Sequence, residues 1–103
     1  MDILIRIKRL VLAHAVEFTL KAEEERLADG LSVEDVLESI INAQEIKKTL
    51  RSRSPYRLHR REKLYIIESP TFSGVAVYTK GTIRRKGDRE VFYVFISAKE
   101  ARS

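Results

Sequence analysis

The stretch 29–43, DGLSVEDVLESIINA, decides the fold class. Gly30 suits the left-handed position that ends a preceding helix. Ser32 suits the next N-cap, with Asp35 three residues on as its capping-box partner. Leu31 and Val36 have the spacing of a hydrophobic staple. Glu34 and Asp35 fall where the helix dipole is positive. Val33, Val36, Leu37, Ile40 and Ile41 recur at helical spacing, which predicts a helix over about 33–43.

Upstream, Leu12, Val16, Leu20 and Leu27 make one stripe, widened by Val11, Ala15, Phe18 and Ala22. That pattern predicts a first helix over about 8–29, with the Glu17–Lys21 pair and Glu23–Glu25 on its wet side. Residues 3–7, ILIRI, fit a strand and a helix equally.

Downstream of Asn42 the hydrophobic period falls to two. An edge strand is expected at about 46–52, broken by Pro55. KLYIIES (63–69) is a second strand, ended by Pro70 and TFSG. VAVYTKGTIRR (75–85) and REVFYVFIS (89–97) are a third and fourth, joined through KGD with Gly87 free to take positive φ. The unbroken run Val91–Ile96 suits a central strand buried on both faces. The predicted class is α+β, in the order α-α-β-β-β-β. Two N-terminal helices (helical half about 8–43) pack on a four-stranded, mainly antiparallel sheet (about 46–98). With 103 residues, the whole chain 1–103 is read as a single domain.

A last hairpin symmetric about Gly87 would pair Tyr93 with Gly81. Val77, Thr79, Ile83, Tyr93 and Phe95 would then face the helices. Tyr78, Lys80, Arg84, Phe92 and Val94 would take the open face, and a slip of one residue would reverse the two.

Several function classes are excluded. The chain is 44% hydrophobic and 34% charged, as globular proteins are. It has no cysteine, so disulfides and thiolate metal sites are ruled out. His14 and His59 lie far apart with no metal-ligand spacing, so no metal is expected. No GxGxxG, phosphate loop or nucleophile elbow occurs, so no cofactor is expected. The apolar runs fall short of the ~18 residues of a membrane span. Asp2, Arg6, Lys8 and Arg9 interrupt the start, MDILIRIKRLVLAHAV, unlike a signal peptide. A cytoplasmic protein with no membrane partner is expected. One Asn and one Gln beside abundant Lys, Arg and Glu resemble a thermophile's composition.

The net charge of +5 hides an asymmetry. Residues 1–50 carry 7 Lys and Arg against 10 Asp and Glu, a net of −3. Residues 51–103 carry 13 against 5, a net of +8. Segregated positive charge steers polyanions and gains affinity by counterion release. Arg51, Arg53, Arg57, Arg60 and Arg61, with Arg85 and Lys86, are the candidate nucleic-acid contacts, RNA ahead of DNA. Tyr56, Tyr65 and Tyr78 are interleaved with them and could stack bases. Chemistry on RNA would need an acid–base group, cations for the pentavalent phosphate and a proton donor. His59, then Lys80 and Arg84, then Tyr78 are the candidates for a metal-independent endoribonuclease. His14 suits the edge of the helix core, with a catalytic role as the alternative.

The run HA…ERLADGLSVEDVLESIINAQEI, followed by basic strands, resembles a family of small domains of unknown function. That family is similar to the RelE/ParE-like toxin superfamily. The resemblance spans roughly residues 12–98 and implies two helices on an antiparallel sheet. RelE-type members cleave ribosome-bound mRNA with basic and tyrosine residues. ParE-type members inhibit gyrase without cleaving nucleic acid. The correspondence reaches Ser32, Glu34, Asp35 and Val36, all structural, and transfers no catalytic residue, since Asp29 stands where the pattern has Arg. Basic residues on the sheet are the usual functional ones in the superfamily, in agreement with Arg53, Lys80 and Arg84. The expected function is a toxin-like domain that binds RNA, with cleavage left open. The alternative is a non-enzymatic module: a gyrase-type inhibitor, a partner for an acidic antitoxin-like protein, or a homodimer paired through an exposed strand.

Overall fold

A computed structural model describes residues 2–51, 62–88 and 90–102. The elements run α1 (Ile3–Leu12), β1 (Val16–Phe18), α2 (Leu20–Ala28), α3 (Val33–Asn42), β2 (Lys48–Arg51), β3 (Lys63–Pro70), β4 (Ala76–Lys86) and β5 (Glu90–Glu100). The class is α+β. Among the described residues the sheet has five strands in the order β1-β5-β4-β3-β2, and every pair is antiparallel except β1 with β5. Residues of α1, α2 and α3 share one core with the inward rows of β3, β4 and β5.

Helix α3 forms as its caps dictate. The Asp35 N–H donates to Ser32 Oγ at 3.0 Å, and the Ser32 N–H donates back to the Asp35 carboxylate at 2.9 Å. Leu31 and Val36 are both buried. At the other end, the Lys8 ammonium of α1 donates to the carbonyls of Ile41 and Ala43. A cation there meets the negative end of the dipole.

The single helix expected over 8–29 is two helices with a strand between them, and residues 3–7 belong to the first. Ala13 ends α1, and His14 follows at φ +56°. The His14 N–H bonds to Val11 O and the Ala15 N–H to Leu10 O. This is a Schellman motif with histidine where glycine is usual. The same motif ends α2, with Gly30 at φ +70°. Between them Val16–Phe18 pairs in parallel with β5, and Thr19 N-caps α2.

The interruption resets the helical phase. Val11 and Ala22 are buried, but Leu12, Leu20 and Leu27 of the expected stripe are 66%, 75% and 64% exposed. Glu17 lies on β1 and not on a helix face with Lys21, which pairs with Glu25 at 3.7 Å. His14 is exposed and does not pack on the core edge.

Strand β5 is internal where β1 flanks it, and Tyr93, Val94 and Phe95 are buried. Beyond Phe95, α2 replaces the missing neighbour. The Glu25 carboxylate accepts from the Ala98 N–H at 3.1 Å and from Ser97 Oγ at 2.6 Å. Asp29 accepts from the Glu100 N–H at 2.8 Å. Acidic side chains thus satisfy an edge that would otherwise be open to another strand.

The β4–β5 hairpin is offset by two from the expected register. Gly81 pairs with Phe95 and Tyr93 with Ile83. An offset of two preserves the faces, so Val77, Thr79, Ile83, Tyr93 and Phe95 do meet the helices. The Tyr93 ring still covers Gly81 diagonally, because a Cβ there would lie 2.4 Å from Tyr93 Cζ. A bulge falls between Lys80 and Gly81, leaving Ile96 without a partner.

Candidate nucleic-acid interface

Antiparallel pairing gathers the basic strand ends. Arg51 ends β2 opposite Lys63, the first residue of β3. The register Tyr65↔Gly81 then carries the far end of β4, with Arg84, Arg85 and Lys86, to that same end of the sheet. The chain therefore leaves the sheet at Arg51 and returns at Glu62 beside the β4–β5 turn. Arg53, Arg57, His59, Arg60 and Arg61 lie outside the described residues.

Alternation along the strands sorts these cations between two faces. Tyr78, Lys80, Arg84 and Lys86 share the face away from the helices, while Arg51, Lys63 and Arg85 take the helix side.

The open-face cations are largely committed. Arg84 Nε and Nη2 each donate to a different oxygen of the Glu62 carboxylate, both at 3.0 Å. Glu62 is buried, and its hydrogen bonds raise the Arg84 pKa against the opposing effect of burial. The Lys86 ammonium meets the Glu17 carboxylate of β1 and lies 5.5 Å from the centre of the Phe92 ring. Tyr78 lies in the row Glu68–Tyr78–Lys99. Burial, then the Glu68 and Glu25 carboxylates, push its phenol above the ordinary value, so at neutral pH the hydroxyl keeps its proton. Lys80 shares a row with Lys48, Ile66 and Ser97 and has no ion pair among the described residues.

These positions do not converge on one reacting atom. Six residues along a strand separate Tyr78 from Arg84, about 20 Å. That is too far for both to reach one phosphate, and Arg84 is already engaged.

The helix side is different. Arg51, Lys63 and Arg85 have no carboxylate partner among the described residues. Arg51 and Lys63 line a depression of ≈ 330 Å³ with Thr49 and Leu50. Arg6 of α1 stands over this side of the sheet beside Arg85. It belongs to the half with net charge −3, so segregation of charge along the chain concealed it. Its one signal is position: it precedes buried Ile7 on an amphipathic helix.

A larger cleft of ≈ 530 Å³ lies toward the opposite end, between α2 and β4–β5. Three of its four carboxylates are engaged. Glu25 and Asp29 hold the β5 edge, Asp29 also accepts from Arg102 at 2.8 Å, and Glu68 pairs with Lys47 at 2.9 Å. Among the described residues no group of three or more His, Asp or Glu could hold a metal ion. No described helix is long and apolar enough to cross a membrane. Comparison with protein-family models, curated proteins and solved structures finds no match for this chain.

Proposed function

We propose that this chain binds RNA through the basic end of its sheet, as a toxin-like domain related to the RelE/ParE superfamily would. One observation carries the reading: β2, β3 and β4 bring Arg51, Lys63 and Arg85 to one end, with no carboxylate to neutralise them among the described residues. Arginine forks suit phosphate oxygens, and unpaired cations exchange condensed counterions for RNA. The sequence resemblance and helices on one face of a mainly antiparallel sheet favour the toxin-like assignment.

Binding is better supported than cleavage. Arg84 is held by Glu62, and Tyr78 is remote from it. A cleavage role would fall to His59 with Lys80. The test is binding of labelled single-stranded RNA across a salt series, with a gel for cleavage products. Three phosphate contacts predict that log K falls against log salt with a slope of at least about 2 in magnitude. Binding that ignores salt, or none at all, refutes the reading.

The exposed leucines 12, 20 and 27 favour a second reading, in which the helical side docks a protein partner or a second copy. Sedimentation of the wild type beside Leu20→Glu tests self-association. A wild-type monomer removes the homodimer.

A further inference from the structure

A cleft of ≈ 330 Å³ opens on the helix side of the basic end. Two exposed arginines line it from different elements: Arg6 from α1 and Arg85 from β4. Neither has a carboxylate partner among the described residues. Buried Tyr65 and half-buried Ile83 and Val91 supply its apolar surface. Glu62 also reaches the cleft, but both of its oxygens accept from Arg84, so that pair adds no net charge.

We infer that this cleft takes one nucleotide of single-stranded RNA. Arg6 and Arg85 hold its phosphate, and the base lies against the apolar surface. The inference rests on the RNA-binding reading and adds the subsite, the strandedness and a helix residue to it. Its size is at the low end of small-ligand pockets, enough for a nucleotide and far too small for a duplex. Bases splayed from a single strand can enter such a space and lie on an aromatic edge or a guanidinium plane. Two arginines from separate elements present forked donors to a phosphate between them. The net charge inside the cleft is positive, as an anionic ligand requires.

The experiment measures anisotropy of one single-stranded RNA and of its duplex of equal length across a salt series. The proteins are wild type, Arg6→Ala, Arg6→Lys, Arg85→Ala and, as a control, Lys21→Ala, whose side chain pairs with Glu25. Circular dichroism confirms that each variant is folded. The expected result is tighter single-strand than duplex binding by the wild type. Arg6→Ala and Arg85→Ala should each weaken it about tenfold and reduce the salt slope by about 0.7. Arg6→Lys should fall between, and Lys21→Ala should match the wild type. If the wild type binds no RNA, this inference and the function proposed above both fall. If it binds and Arg6→Ala binds equally well, the cleft alone is refuted. Equal affinity for duplex overturns the single-strand assignment.

Discussion

Replacing Arg84 by Ala strands a buried charge. The Glu62 side chain is 4% exposed and that of Arg84 is 25% exposed. Removing one member of a buried pair costs about 3–5 kcal/mol when the remaining charge stays uncompensated. Glu62 lies so deep that Arg84→Ala should lose about 3 kcal/mol. Glu62→Gln leaves a guanidinium that water still reaches, and its amide oxygen keeps one acceptor, so the loss should be nearer 1 kcal/mol. The double variant Glu62→Leu with Arg84→Met should lie within about 1 kcal/mol of the wild type, since it leaves no lone charge. Urea denaturation followed by circular dichroism reads all three. At an m-value of about 1–3 kcal/mol/M, Arg84→Ala shifts the midpoint down by roughly 1–3 M. Equal losses below about 0.5 kcal/mol for both single variants would show a solvated pair. Arg84 would then be available to a ligand, contrary to its assignment as a structural group. RNA gives an independent readout, because Glu62→Gln releases the Arg84 fork and should steepen the salt slope by about 0.7.

His14→Gly removes left-handed strain of about 1–2 kcal/mol but loosens the unfolded chain, for a net gain of up to ~1 kcal/mol in thermal denaturation. Gly30→Ala, where nothing lies within 4 Å of the new Cβ, should lose about 1 kcal/mol through backbone strain alone. The Tyr93 hydroxyl is buried with no hydrogen-bond partner among the described residues, and burial pushes its pKa far up. Tyr93→Phe should therefore stabilise by about 1 kcal/mol in urea, whereas Gly81→Ala drives a methyl into that ring and should cost about 1–3 kcal/mol. Burial raises the Glu25 pKa, but hydrogen bonds from Ser97 and Ala98, with Lys21 and Lys99, outweigh it and leave the value lowered. The stability that Glu25 adds is thus present above the ordinary carboxyl range and is lost as pH falls through the lowered value. Glu25→Gln should be less stable than the wild type at pH 7 and should converge with it in acid; parallel acid-unfolding curves would refute this.

Local chemistry made α3 legible. Ser32, Asp35, Leu31 and Gly30 all act within a few residues of one another, and each does in the structure what its spacing implies. The face assignment of β4 and β5 was legible for a related reason. Alternation survives any register offset of two, so Tyr78, Lys80 and Arg84 share the open face although the pairing differs from a hairpin centred on Gly87. The break at His14 was not legible. Histidine carries no left-handed preference comparable with glycine's, and Val16 and Phe18 fit a helical stripe as well as a strand face. The partner that makes Val16–Phe18 a strand is β5, far along the chain.

The candidate site divides in the same way. Residue type marked the 51–63 and 80–86 stretches as basic, but carries nothing about which cations are engaged. Arg84 is held by a carboxylate 22 residues away and Lys86 by one 69 residues away, while Arg6 joins the basic end from the acidic half. The amino-acid order alone determined the caps at Gly30 and Ser32, the alternation of faces and the excess of positive charge in the second half, because caps and pleats act over two to five residues. Only the folded chain decided the parallel fifth strand, the pairing of Glu62 with Arg84 and the meeting of Arg6 with Arg85. Those depend on long-range register, and Coulomb and hydrogen-bond partners are chosen by distance in space.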